Sequence, residues 1–213
     1  MSLKECQLYV KPYVVKLGTE KLQMFLGPMI KGRLDAYHIK VDLGVDVIIN
    51  MVPHTDEEHW NGQNRASPYM GEYEKEGEYI EELKDSPPKL YRDAALPLDP
   101  LDQQSETRQI DFYCLRARKV ASYLKEHPRE IPYFHYRDGT NEDALLAFLV
   151  WYILDKQSCP WENLTAWLIS DEIDQKQVLS DDTQIELFGK LVKRIDATAK
   201  NQVMTNWLKK AKK

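Results

Sequence analysis

From Ala144 to Leu154 the chain runs through eleven residues without a charged side chain. That length and all-round apolarity predict a helix over 141–154 that is buried on every face and therefore central. Ahead of it, Ile131 to His135 reads as a short buried strand, separated from the helix by a polar turn whose single glycine is Gly139. Val45 to Met51 is a second, continuous β-branched run of the kind that sits in the middle of a sheet with cover on both faces. Upstream, Lys21 to Leu26 is a further strand closed by Gly27-Pro28, and residues 5–17, interrupted by Pro12, read as an edge strand or an irregular extension. Between them the spacing of Ile30, Leu34, Tyr37 and Val41 predicts a helix over 29–43 with those residues inward, stopped by Gly44. Leu90 to Leu98 reads as the next strand. A helix over 107–125 comes after it, with Ile110, Cys114, Ala117, Val120, Ala121 and Leu124 on its inner face. Two more helices are expected: 160–170, with Trp161, Leu164, Trp167 and Leu168 on one side, and one capped by Asp181 or Asp182 that runs through Ile195. Strands alternating with helices predict an α/β fold, a central, largely parallel mixed sheet flanked by helices. In it the strands at 45–51 and 131–135 are neighbours and the 141–154 helix covers one face.

One stretch breaks the alternation. Residues 53–89 hold ten Asp or Glu against four Lys or Arg, few aliphatics, and the pair Pro87-Pro88. They read as a long acidic surface insertion with one or two helical turns at Glu78 to Asp85. Trp60, Tyr69, Met70, Tyr73 and Tyr79 within it are the large amphipathic groups that exposed segments use as contact anchors. The expected organisation is a single domain over residues 1–195 with this insertion, continued by a basic tail or helix, 196–213, ending in LKKAKK.

Composition adds exclusions. A net charge of −5 over 213 residues offers no general attraction to nucleic acid or to an anionic membrane surface, and no apolar run reaches the eighteen or so residues a membrane span needs. The start MSLKECQLYV lacks a charged-then-apolar leader, so no signal peptide is expected. Cys6, Cys114 and Cys159, an odd number at unrelated spacings, suit free thiols in a reducing compartment, so an intracellular, cytoplasmic protein is expected. No Cys/His spacing fits a zinc site. Neither a metal nor another cofactor is expected.

The turn between the 131–135 strand and the central helix reads His135-Tyr136-Arg137-Asp138-Gly139-Thr140-Asn141-Glu142-Asp143. It resembles the phosphate-binding loop of the dual-specificity subgroup of cysteine-dependent protein phosphatases, H-C-x-x-G-x-x-R-[S/T], and the resemblance in element order extends over roughly residues 20–195. His135 and Gly139 match. The family's nucleophilic Cys falls on Tyr136, its phosphate-clamping Arg on Glu142, and its Ser or Thr on Asp143. The family's chemistry needs a thiolate of lowered pKa to attack phosphorus and a guanidinium fork for the phosphoryl oxygens. A phenol and a carboxylate supply neither. The loop's own charge opposes the family's ligand as well, since Arg137 against Asp138, Glu142 and Asp143 leaves a formal −2. In the helix's first turn, Glu142 and Asp143 satisfy the dipole from within, with Thr140 or Asn141 as N-cap.

The resemblance also implies a general acid after the 90–98 strand. Asp99 and Asp102 lie near that position but Pro100 occupies the aligned one, so the pair reads as vestigial, a turn rich in Asx-forming residues. Cys114 reads as a small core residue and not a displaced nucleophile. His135 reads as a structural residue bonded to loop backbone. The function expected is that of a degenerate phosphatase-like domain without catalytic residues, a binding or regulatory protein that holds a protein partner. Its binding residues are Tyr136, Arg137, Asp138, Gly139, Thr140, Asn141 and Glu142. The alternative is an enzyme of another class in which Asp138, Glu142, Asp143 and His135 form a carboxylate-rich pocket for a cation.

Overall fold

The computed structural model describes residues 11–17, 20–51, 70–83, 86–91, 106–135, 141–156, 159 and 186–199. Five strands form one sheet: β1 (Lys11–Leu17), β2 (Glu20–Leu26), β3 (Val47–Asn50), β4 (Lys89–Tyr91) and β5 (Pro132–His135), in the order β1-β2-β5-β3-β4. β2, β5, β3 and β4 are parallel neighbours, and β1 closes one edge antiparallel to β2, in register from Lys11↔Leu26 to Leu17↔Glu20. Pro12 is tolerated because an edge strand needs only half of its backbone donors. The largely parallel mixed sheet read from the sequence is therefore present, with the 45–51 and 131–135 strands side by side.

Helices α1 (Arg33–Tyr37) and α2 (Met70–Glu81) lie on one face; α3 (Glu106–Glu126), α4 (Asn141–Leu154) and a last helix, α5 (186–199), lie on the other. Side-chain alternation along β3 and β5 feeds both layers. Val47, Ile49 and Phe134 pack toward α3 and α4, whereas Ile48 and Tyr133 pack toward α1 and α2. All four residues of each strand are buried, which is what two covered faces require. The seven residues from Leu145 to Trp151 are all buried in α4, including Leu146 and Leu149, as its lack of a polar face demands. α3 presents Cys114, Ala117, Val120, Ala121 and Leu124 to the core, and α5 presents Phe188, Leu191, Val192 and Ile195. α5 continues past Ile195 to 199. Asp196 there accepts a hydrogen bond from the Tyr152 hydroxyl at 3.2 Å and one from Lys156 Nζ at 2.7 Å.

Three expectations need correction. The helix expected over 29–43 begins only at Arg33. Pro28 and Ile30 are held by other partners, the Pro28 carbonyl accepting from the Tyr133 hydroxyl at 2.6 Å and the Ile30 N–H donating to Glu76. Its inward face also differs: of the expected residues Ile30 is buried, with Ala36 and Ile39, while Leu34, Tyr37 and Val41 are about half exposed. Both stripes are apolar, so periodicity cannot choose between them. Ala36 gives the close approach to the sheet, and a π-helical turn over His38–Asp42 shifts the helical phase of the residues after Tyr37. Gly44 does end the segment, at φ 69°, a left-handed conformation that favours glycine. The strand expected over 90–98 is described as Lys89–Tyr91, beginning one residue early; residues 92–98 lie outside the described residues, as do the 160–170 helix and its two tryptophans. Finally, the helix expected over Glu78 to Asp85 is in fact the twelve-residue α2, which is part of the core and not a surface turn. Ile80 on it is 2% exposed, and Tyr79, expected as an exposed anchor, packs partly buried against the same cluster.

The two apolar stripes make a testable contrast. Leu146→Ala removes a fully enclosed side chain and should cost about 2–5 kcal/mol in urea unfolding. Leu34→Ala, on the stripe expected to face inward, should stay within about 0.5 kcal/mol of the parent.

Candidate functional site

In a parallel sheet the strand ends that can build a site are the carboxyl ends, where the loops leave. Here those ends are Leu26, His135 and Asn50, side by side. β5 is central: the Gly27 N–H donates to the Phe134 carbonyl at 3.1 Å, and the Met51 N–H donates to the His135 carbonyl at 3.0 Å. Asn50 and His135 are register partners. Each lies two residues beyond a side chain that points at α1 and α2 (Ile48 and Tyr133), so both turn to that same face.

There they meet Glu76 of α2. This carboxylate is fully buried, as is the His135 side chain. Glu76 Oε2 accepts from Asn50 Nδ2 at 2.7 Å and Oε1 accepts from the Ile30 N–H at 3.2 Å. His135 Nε2 lies 3.0 Å from Oε1. Its ring N–H is not aimed along that line well enough for a directed hydrogen bond, so the contact is an ionic one when the ring is protonated. A carboxylate removed from water is tolerable only when paired and hydrogen-bonded. Glu76 meets that condition with hydrogen-bond donors from two separate segments, the β2–α1 connection and the end of β3, and with the His135 ring at the end of β5 in contact with it.

Neither Glu76 nor Asn50 stands out in the sequence, and the reason is physical. Glu76, Ile80 and Leu83 share one helical stripe, but the stripe carries a charge and lies in an acidic segment, so hydropathy reads it as solvated. Asn50, the one polar side chain at the end of a β-branched run, is the available signal.

Of the residues expected at the site, His135 is described and is placed at the C-terminal end of the central strand. Its Nε2 lies 3.0 Å from a side chain of the insertion; the loop backbone expected to hold the ring lies outside the described residues. Asn141, Glu142 and Asp143 form the first turn of α4, consistent with acids placed against the positive end of the helix dipole. Asn141 lies inside that helix. Tyr136, Arg137, Asp138, Gly139 and Thr140 lie outside the described residues, as do Asp99 and Asp102. Among the described residues no group of three His, Cys, Asp or Glu side chains is placed to hold a metal ion, and no helix is long and apolar enough to cross a membrane.

Cys114 is buried on α3, its thiol 3.7 Å from the Leu191 carbonyl. Burial pushes it up to about 11, with Asp111 adding to the rise and Arg118 and Arg194 opposing it. Reactive cysteines show the reverse shift.

No protein-family model matches the chain, and no curated protein matches it either. Solved structures do. The kinase-associated phosphatase KAP, crystallised with its catalytic-site cysteine replaced by serine, superposes with a TM-score of 0.51 at 11% identity, covering 90% of this chain and 99% of that one. The fold is that of the dual-specificity phosphatases. PTPMT1 in complex with PI(5)P matches with a TM-score of 0.45 at 16% identity, over 83% of this chain and 94% of that one.

Cys114 should resist alkylation by iodoacetamide at pH 8 in the folded protein. With the thiol near 11 against an ordinary 9.0, the thiolate that reacts is about a hundredfold scarcer. Peptide mass spectrometry should find modification at this site only after urea is added.

Proposed function

We propose that this protein is a catalytically inactive phosphatase-like domain that acts by binding a protein partner in the cytoplasm. The observation that carries this reading is the chemistry of the loop after β5. The position of the nucleophile holds a phenol, Tyr136, and the position of the phosphate clamp holds a carboxylate, Glu142. Phosphoryl transfer by this fold needs a thiolate and a bidentate guanidinium together, and both are replaced.

Charge supports the same reading. A formal −2 over residues 137–143 opposes a phosphate dianion. Like charges about 4 Å apart cost on the order of 4 kcal/mol per pair at an effective dielectric of about 20. Cys114 does not substitute, because it is sealed in the core with a raised pKa. Support for a protein ligand comes from residues 53–89, long, acidic and carrying Trp60 and Tyr69, and from the loop residues Tyr136 to Glu142, which offer a phenol, an Arg and carboxylates to a peptide surface.

Assays with p-nitrophenyl phosphate and a phosphotyrosine peptide should give no turnover above background. Tyr136→Cys alone should stay inert, since Glu142 beside the new thiol would raise its pKa and repel the dianion. Adding Glu142→Arg brings the loop's formal charge to zero and supplies the missing fork, so the double variant should bind inorganic phosphate. Turnover by the unmodified protein that vanishes on Cys114→Ser would overturn the reading by showing that the nucleophile had moved.

A further inference from the structure

The outer face of α3 carries a charge opposite to that of the chain. Residues 112–125 hold Arg116, Arg118, Lys119 and Lys125 and no acid, a formal +4 in a protein whose net charge is −5. Helical spacing gathers part of that charge around Leu115, which is 51% exposed. Its neighbours three and four residues away are Asp111, Phe112, Arg118 and Lys119. Asp111, the acid that borders the patch, is engaged already: it accepts from Arg194 Nε of α5 at 2.7 Å. Glu186, at the start of α5, is engaged by Lys190 at 2.9 Å. The Arg116 guanidinium lies over the Phe112 ring, 4.7 Å from its centroid, so aromatic and cationic surface adjoin on one side of Leu115. On the other side, Arg118 is partly buried, and its Nη2 is enclosed without a hydrogen-bond partner. A guanidinium edge taken out of water without an acceptor is costly, and a carboxylate is the group whose geometry matches it.

We propose that the outer face of α3, centred on Leu115 and Arg118, is a docking surface for an acidic segment of a partner protein that carries an aliphatic or aromatic anchor. Carboxylates of that segment engage Arg118 and Lys119, and the anchor packs on Leu115 and Phe112. Arg118 carries the larger share, because its charge is partly enclosed, whereas Lys119 is exposed and screened. An exposed leucine at the centre favours a peptide over a nucleic-acid backbone, which has nothing apolar to set against it. The surface belongs to the α3 layer, across the sheet from α1 and α2. The proposal rests on the binding function proposed above and names a surface and a partner chemistry for it. Its failure would leave the loss of phosphatase chemistry standing, since no readout below involves phosphate esters.

Fluorescence anisotropy on the full-length chain tests it, with a short labelled synthetic peptide of repeated Glu-Glu-Leu as the probe. Binding should saturate and weaken as salt is raised. Replacing the peptide's Glu by Gln, or its Leu by Ser, should weaken it about tenfold; equal binding of either variant peptide would overturn the proposal. In the protein, Arg118→Met should weaken binding about tenfold, as loss of a charge-assisted pair does. Lys119→Ala should weaken it only about two- to threefold, Leu115→Ser should weaken it as well, and the distant Lys31→Ala should have no effect. Because Arg118→Met removes an enclosed polar edge that has no acceptor, its thermal midpoint should match or exceed the parent's. A lowered midpoint would mean that Arg118 serves the fold and would count against the docking role. Displacement of the peptide by an equal concentration of a single-stranded oligonucleotide would reassign the patch to nucleic acid. Sedimentation showing a dimer that is lost in Leu115→Ser, with no peptide binding, would assign the face to a second copy of the chain.

Discussion

The parallel pairing of β3 with β5 is the constraint on which the rest of the structure depends. Two short strands apolar on both faces cannot lie at a surface, so each face needs a layer of helix. The helix after β5 can cover one of them only by being apolar all round, because it is itself enclosed by α3 and α5. That accounts for a stretch with no charged side chain in a chain that is 30% charged. It also fixes where chemistry could occur. The loop that links β5 to α4 has to emerge at the carboxyl edge of the sheet, next to the ends of β2 and β3, and at the amino end of a buried helix.

The proposed function takes that position as a phosphatase-like loop furnished with different residues. An active member would gather positive charge and backbone donors around a dianion. Here the acids Glu142 and Asp143 take the first turn of the helix, and a further carboxylate, Glu76, is enclosed at the foot of the loop. The scaffold and the loop's chemistry are therefore under separate constraints. Packing asks only that residues 131–135 and 144–154 be apolar and of suitable size, and nothing in that demand requires a thiol at 136 or a guanidinium at 142.

Much of the scaffold is legible in the sequence because its elements are long or extreme in composition. β3, β5, α3 and α4 each carry an unambiguous period or an unbroken apolar run, and the order strand, helix, strand leaves few topologies open. The inward face of α1 is not legible, because Leu34, Tyr37 and Val41 repeat as regularly as Ala36 and Ile39. α2 escapes for a deeper reason. Its inward stripe includes Glu76, and the energy that places a charge inside comes from Asn50, Ile30 and His135, none of them near it in sequence. Local pattern carries packing well, whereas a polar network assembled from four segments leaves almost no local trace. The loop motif rests on the sequence alone: His135 and Gly139 match the family's frame, and Tyr136 and Glu142 stand where its Cys and Arg would.

The claim at the centre of this account is that the loop after β5 has kept the place of a phosphate site and lost its chemistry. Isothermal titration of inorganic phosphate into the unmodified protein addresses it most directly. The account predicts no saturable heat at millimolar phosphate, because the side-chain charge of residues 137–143 opposes the dianion. Saturable binding that is abolished by inserting a bulky residue at Gly139 would mean that backbone donors at the α4 terminus outweigh those charges, and the protein would then be a reader of phosphate.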